Sequence, residues 1–285
     1  MNFFEKIIFA LQAEMKEPEA FGAFHLACLG IMLACIVILY VNKKTRGERQ
    51  LKTVLGVYGF TTLVLEIAKQ IIWSFNYDPI TNIVTWDYTW YAAPFQLCTT
   101  PLYVSLIIFF MKDCQLRKSL MSYMSFTTII GSIATIFMPE QCFVDTILVN
   151  VHTTWLHYGS FVVSVYLLMS GVVDLTLKSL NSAVGVFVVF VGMATLLNIG
   201  VYNSGVLNGE TFNMFYISPY FISELPVFDK IQQAVPYPIF LLTYIAALSL
   251  GSAVILFIAK ETKALFGRRT SGHRIHGGRL GLGWG

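Results

Sequence analysis

The sequence predicts an all-α, polytopic membrane protein: a bundle of seven transmembrane helices with its N-terminus outside and its C-terminus in the cytoplasm. Three observations carry this reading. Apolar residues make up 56% of the 285-residue chain and charged residues only 12%, whereas soluble domains hold about 25% charged residues. Seven apolar runs are long enough to cross a bilayer as helices. The short connections between them alternate in charge.

Taken in order, residues 1–20 set Glu5, Lys6, Glu14, Lys16, Glu17 and Glu19 among Phe3, Phe4, Ile7, Ile8 and Leu11. That helical, amphipathic spacing, with no cleavable signal pattern, predicts a segment lying in the membrane interface. The seven-helix domain covers 21–260, with spans at 21–41, 51–75, 94–111, 119–138, 149–173, 182–202 and 236–260. The third is short, which fits a tilted or locally irregular segment. The halves show no self-similarity of the kind that marks repeat transporters. Lys43, Lys44, Arg46, Arg49 and Lys52 fill the first connection, and Asp78 and Asp87 the second. Lys112, Arg117 and Lys118 mark the third, and Glu140 and Asp145 the fourth. The fifth is mixed, with Lys178 beside Asp174. The sixth is mainly acidic, with Glu210, Glu224 and Asp229 against Lys230. Lys260, Lys263, Arg268 and Arg269 follow the last span, so the positive-inside rule and an odd span number agree on the orientation. Residues 261–285 are Gly- and Arg-rich without periodicity and read as a basic, disordered tail.

The third span opens unusually, as Trp90-Tyr91-Ala92-Ala93-Pro94-Phe95-Gln96-Leu97-Cys98-Thr99-Thr100-Pro101. Pro94 fits a first helical turn, and Pro101 lacks the N–H that would bond back to Leu97. Cys98 therefore lies within a turn of a loosened helix. At ~1.5 Å rise per residue, His25, Glu66, Lys69, Cys98, His152, His157, Asn198 and Asn203 share the outer half of the bilayer. Ionisable groups there face a partner or a wet cavity.

Each of these residues also has a plainer reading. Glu66 and Lys69, three apart on one face, form a buried ion pair that neutralises itself. His25 is an interfacial histidine with satisfied hydrogen bonds, His152 a solvated boundary residue, and Cys98 a small buried hydrophobe. The joint presence of a thiol and histidines at one depth favours chemistry, because imidazole can take the thiol's proton. His152 and His157 point about 140° apart on a helix, so one of them is the base and the other is structural or meets a headgroup. That spacing disfavours a metal site. The five cysteines show no disulfide or zinc pattern, and no nucleotide or nucleic-acid motif is present.

Three stretches resemble the YwaF-like integral membrane family, whose vertebrate relatives include the cysteine-dependent phospholipid acyltransferase transmembrane protein 164. Pro94-Phe95-Gln96-Leu97-Cys98 is similar to the family's proline-leucine-histidine-leucine-cysteine turn, with Gln96 where the family usually has histidine. His157-Tyr158-Gly159, leading into Val165-Tyr166-Leu167-Leu168, is similar to the opening of its fifth span. Phe212-Asn213-Met214-Phe215-Tyr216 with Pro219, Asp229 and Pro236-Tyr237-Pro238 resembles its sixth connection. Phe24-His25-Leu26 fits the first span's opening. The resemblance implies that Cys98 is the acyl-accepting nucleophile and His157 its partner.

The resulting expectation is an enzyme that moves a fatty acyl chain between phospholipid and lysophospholipid through a thioester on Cys98. It needs no cofactor, metal or nucleic-acid partner. His25, Gln96, His152 and Asn213 are the candidate substrate-binding residues, with Gln96 and Asn213 contacting headgroup or oxyanion. The alternatives are a lipid hydrolase using the same Cys98 and His157, and a non-enzymatic carrier binding substrate or protons through Glu66, Lys69 and the histidines. If the chain is bacterial, the plasma membrane is the expected location.

Overall fold

The structure is a computed structural model that describes residues 2–42, 47–78 and 80–275. The helices are α1 (Phe3–Leu11), α2 (Ala23–Val41), α3 (Glu48–Ile72), α4 (Thr100–Phe110), α5 (Gln115–Phe126) and α6 (Thr128–Phe137). They continue with α7 (Ile147–Ser170), α8 (Leu177–Asn203), α9 (Phe228–Ala234) and α10 (Tyr237–Ile275). The strands β1 (Phe75–Asp78) and β2 (Ile83–Trp86) pair antiparallel, Phe75 opposite Trp86, just after α3. In their turn, Thr81 Oγ1 and the Ile80 N–H donate to Asp78, which holds its carboxyl below the ordinary aspartate range.

Among the described residues, six helical segments are long and apolar enough to cross a membrane. They are Ala23–Val41, Glu48–Ile72, Trp90–Phe110, Gln115–Phe137, Leu177–Asn203 and Tyr237–Leu265. Seven were expected. The span expected at 149–173 is α7, a helix of 24 residues that falls short on composition. Its polar residues Asn150, His152, His157, Ser160 and Ser164 are all buried, because α7 packs against α2, α3, α5 and α6 at once. A helix enclosed by protein satisfies polar side chains with neighbours, so it does not need an apolar surface all round.

α1 begins with a reciprocal capping box between Asn2 and Glu5. It buries Ile8 and leaves Phe3, Phe4 and Phe9 exposed, in line with an amphipathic segment. Gln12 Nε2 donates to the Phe75 carbonyl at 2.5 Å, and Met15 N–H to the Asp145 carbonyl at 2.7 Å. Trp90 N–H donates to Glu210 at 3.0 Å. These bonds gather the N-terminal segment and the second, fourth and sixth connections, all acidic in sequence, at one end of the bundle. Toward the other end, Arg117 makes a bidentate bond to Glu48, at 2.7 and 3.1 Å. The basic run at 43–46 lies outside the described residues.

α10 continues past the expected boundary at Lys260 to Ile275, so the first part of the expected tail is helical. An unbroken i to i−4 ladder extends the span here. Residues 276–285 of the expected tail lie outside the described residues. The span expected at 119–138 divides into α5 and α6 at Thr127, whose hydroxyl meets Ser252 on α10 at 3.1 Å.

Small residues set the closest approaches. A Cβ on Gly59 would lie 2.7 Å from Ser105 Oγ and 2.8 Å from Leu106 Cδ2 on α4, and one on Gly56 would lie 2.8 Å from the Phe109 ring. Across the α3–α7 contact, a Cβ on Gly159 would meet the Tyr58 ring at 2.9 Å. Close backbone packing of this kind substitutes for a hydrophobic drive between helices in lipid.

Candidate active site

The turn bearing Cys98 is irregular because the sequence denies it a helix. Trp90–Ala92 and Leu97–Thr99 are single 3₁₀ turns, and α4 starts only at Thr100. Pro101 falls in the first turn of α4, where a missing N–H costs nothing. Side chains replace the absent backbone ladder. Gln96 N–H donates to Thr99 Oγ1 at 2.8 Å, and Thr100 Oγ1 donates to the Leu97 carbonyl at 2.7 Å. Since that bond uses the Thr100 proton, the Tyr123 hydroxyl donates to Thr100 in turn, at 2.7 Å. Tyr103 bonds the Pro94 carbonyl from below. Cys98 is half-buried on this turn, which packs against both α6 and α7.

The two histidines of α7 separate as their spacing requires. His152 faces α3 and His157 faces α6. Glu66 accepts from Lys69 Nζ at 2.8 Å and from Gln70 Nε2 at 2.8 Å, while its other oxygen meets His152 Nε2 at 2.7 Å. A carboxylate holding an ammonium is ionised and only accepts, so His152 Nε2 carries the proton and Nδ1 is the lone-pair nitrogen. That Nδ1 is buried without a hydrogen-bond partner among the described residues. His152 is thus 2% exposed and paired, which removes its plainer reading as a solvated boundary residue. The Glu66–Lys69 pair is present with a third and fourth member. Gln70, which the sequence reading missed, also bonds the Ala92 carbonyl at 2.8 Å and Tyr88 at 2.9 Å. Its place one helical turn after Glu66 was the available signal.

His157 Nδ1 lies 3.0 Å from Thr135 Oγ1. The Thr135 hydroxyl donates to the Gly131 carbonyl at 3.1 Å, so it accepts from His157 Nδ1–H. The unprotonated nitrogen of His157 is then Nε2, the form a general base requires. Thr135 had no signal in the sequence, since any hydroxyl on α6 would have looked the same. No hydrogen bond joins the Cys98 thiol to either histidine among the described residues.

Gln96 and Asn213 do not present free amides to a headgroup or oxyanion, as was expected of them. Gln96 Nε2 donates to the Asn213 carbonyl at 3.0 Å and its Oε1 accepts from Phe215 N–H at 2.8 Å. The Asn213 side chain accepts from Ser218 N–H at 2.8 Å and donates to the Ile222 carbonyl at 3.0 Å. Asn198 clamps Met214 in the same reciprocal way, at 2.7 and 3.0 Å. These amides hold Phe215 and Tyr216 at φ 59° and 57°, a left-handed conformation that costs non-glycine residues energy and persists only when surroundings over-determine it. The Gln96 side chain ties the Cys98 turn to the sixth connection, and the Asn213 side chain braces that connection from within. His25 is fully buried, with Nδ1 accepting from Phe21 N–H at 2.9 Å and its ring against Phe143 and Tyr158. It belongs to α2 and meets α7 at Tyr158, with no hydrogen bond to the Glu66 cluster among the described residues.

Beside the Cys98 turn, α3 and α4 border a laterally open groove of about 350 Å³. Leu63, Ile67 and Ile71 line it with Glu66, Gln70 and Ser74, opposite Pro94, Leu102 and Tyr103. A comparison with curated proteins and another with solved structures each find no match. Residues 20–256, from the start of α2 to the last membrane span, match the TMEM164 family. That match takes in the Cys98 turn, both histidines and the Asn213 clamp, and the chain therefore belongs to the TMEM164 family, as an integral, multi-pass membrane protein.

Proposed function

We propose that this protein is a phospholipid acyltransferase that carries the acyl chain as a thioester on Cys98. One observation supports this above others: a half-buried thiol on a non-helical turn packs against α7, whose two imidazoles each keep one basic nitrogen free. In the first half-reaction the Cys98 thiol gives its proton to His157 Nε2, and the sulfur attacks the ester carbonyl of a phospholipid. The ester C–O bond breaks, and the departing lysophospholipid oxygen takes the proton from the imidazolium. In the second, a lysophospholipid hydroxyl loses its proton to the imidazole and attacks the thioester. The C–S bond breaks and the proton returns to sulfur. α7 acts as a seventh span, and the acidic end of the bundle, with the N-terminus, faces outward.

A carrier is the second reading, favoured by the buried Glu66–Lys69–His152 network, since such charges within a membrane commonly bind substrate or protons. One experiment separates the two. The purified protein in phospholipid nanodiscs is analysed by intact mass with and without hydroxylamine. The acyltransferase gives one hydroxylamine-sensitive acyl adduct that maps to Cys98 and is missing from Cys98→Ala. An unmodified wild-type protein under turnover conditions overturns this function and leaves the carrier. Free fatty acid as the sole product, with the adduct present, makes the enzyme a hydrolase.

A further inference from the structure

The groove between α3 and α4 has a build that the two half-reactions leave unassigned. Leu63, Ile67 and Ile71 repeat every four residues, and Glu66, Gln70 and Ser74 repeat in the same way three residues on. On a helix these are two parallel rails about 60° apart, one apolar and one polar. Along α3 from Leu63 to Ile71 the apolar rail runs about 12 Å, within the ~15 Å depth of one leaflet, and the polar rail ends on Ser74 just past the helix. Ile67 is 53% exposed, so the groove opens sideways, toward where lipid lies. Its volume, about 350 Å³, falls in the range of small-ligand sites. Pro94 and Leu102 in its far wall stand four residues either side of Cys98, and Gln70 ties the rail to that turn through the Ala92 carbonyl.

We infer that this groove is the binding site for the acyl acceptor, a single-chain lysophospholipid held with its chain on the apolar rail and its free glycerol hydroxyl on the polar one. The inference rests on the acyltransferase reading. The polar rail favours a ligand with a hydroxyl proton to donate. Glu66 accepts three hydrogen bonds, and an ionised carboxylate has about four acceptor sites, so one is left for an incoming O–H. A diacyl lipid has no such proton in its glycerol backbone, and its second chain exceeds a groove with a single apolar rail. The hydroxyl then lies on the rail that Gln70 ties to the Cys98 turn through the Ala92 carbonyl. As its oxygen bonds to the thioester carbon and the C–S bond breaks, the hydroxyl proton leaves Glu66 for His157 Nε2 and passes from there to the sulfur.

The test uses full-length protein in nanodiscs and two readouts. First, a lysophosphatidylcholine carrying a chain diazirine is photolysed on wild-type protein and the label is mapped by peptide mass spectrometry. Label on Leu63, Ile67, Ile71 or Leu102, competed by unlabelled lysophosphatidylcholine at least tenfold better than by diacyl phosphatidylcholine, is expected. Label confined to other helices, or equal competition by the diacyl lipid, overturns the assignment whether or not the protein turns over. Second, the pre-formed acyl adduct is chased with lysophosphatidylcholine. Ile67→Trp, which fills the groove, should raise the acceptor concentration for half-maximal discharge at least tenfold. Val64→Trp, which is lipid-facing but outside the groove, should not. Wild-type discharge by Ile67→Trp overturns the inference. An absent adduct in wild-type protein instead overturns the acyltransferase reading, and the photolabelling still decides whether the groove binds a single-chain lipid.

Discussion

Cys98, Glu66 and His157 each allow a prediction from their immediate partners. Removing the Cys98 sulfur to leave a methyl group takes little packing from a half-buried position, so Cys98→Ala should fold and melt like wild type while acyl transfer falls to background. His157→Ala should retain a residual rate, lower by about 10²–10⁴-fold, because cysteine keeps a small thiolate fraction without its base. Transfer of labelled acyl chain to lysophospholipid measures both. Thr135→Val should mimic a part of that loss, since it removes the acceptor that holds the proton on Nδ1. At Glu66 the expectation concerns stability. Glu66→Gln leaves the Lys69 ammonium uncompensated at 13% exposure, and breaking a buried pair from one side costs about 3–5 kcal/mol. Glu66→Gln combined with Lys69→Met should melt higher than Glu66→Gln alone. A lower melting temperature for the double variant would mean that His152 and Gln70, rather than Lys69, set the energy of the cluster.

α3 shows how one helix serves several neighbours. Tyr58, Thr62 and Glu66, four apart, face α7, where they meet the Leu156 carbonyl, Trp155 Nε1 and His152 at 3.1, 3.1 and 2.7 Å. Gly56 and Gly59 turn toward α4. The Leu63–Ile67–Ile71 rail lines the groove, and Glu66 is shared between the α7 contact and the groove's polar rail. Placing bulk at Gly59 should therefore separate α3 from α4 and disturb the turn between them. Gly59→Leu is expected to cost about 1–3 kcal/mol, the usual range for overpacking. Gly30→Leu on α2, where nothing lies within 4 Å, should be neutral. Thermal unfolding in one detergent compares the pair. Equal melting temperatures would show that the α3–α4 contact yields without cost. The composition of α3 discloses its amphipathic character, but not which stripe meets which neighbour. That depends on helices distant in sequence, 86 residues away for the Glu66–His152 contact.

For the whole molecule, the charge pattern and the loop contacts make one testable statement about orientation. The acidic connections meet at one end of the bundle, while Arg117 pairs with Glu48 toward the other. In intact cells, a membrane-impermeant thiol reagent should modify Asp87→Cys and leave the exposed native Cys114 untouched until the membrane is opened. The reverse labelling would invert the topology and move the Cys98 site to the inner leaflet.

Apolar run length and proline placement are local properties, and they were enough to determine the membrane class, the approximate positions of six spans and the irregular turn at Cys98. Each depends on residues adjacent in the chain: a proline removes its own N–H, and a run of apolar side chains is long enough or it is not. Glu66 and Lys69 could be paired from sequence because they share a helix face. What the chain could not disclose was the use of polar groups across helices. His152 turned from a boundary residue into the partner of Glu66, Gln96 and Asn213 became backbone clamps, and Thr135 set the tautomer of His157. α7 passed below the apolarity of a span because its neighbours, not lipid, surround its polar face. A buried polar atom must find a partner wherever the fold brings one, and the number of possible partners at one depth of a bundle far exceeds what spacing along a single helix can select. Only the packed structure makes that choice.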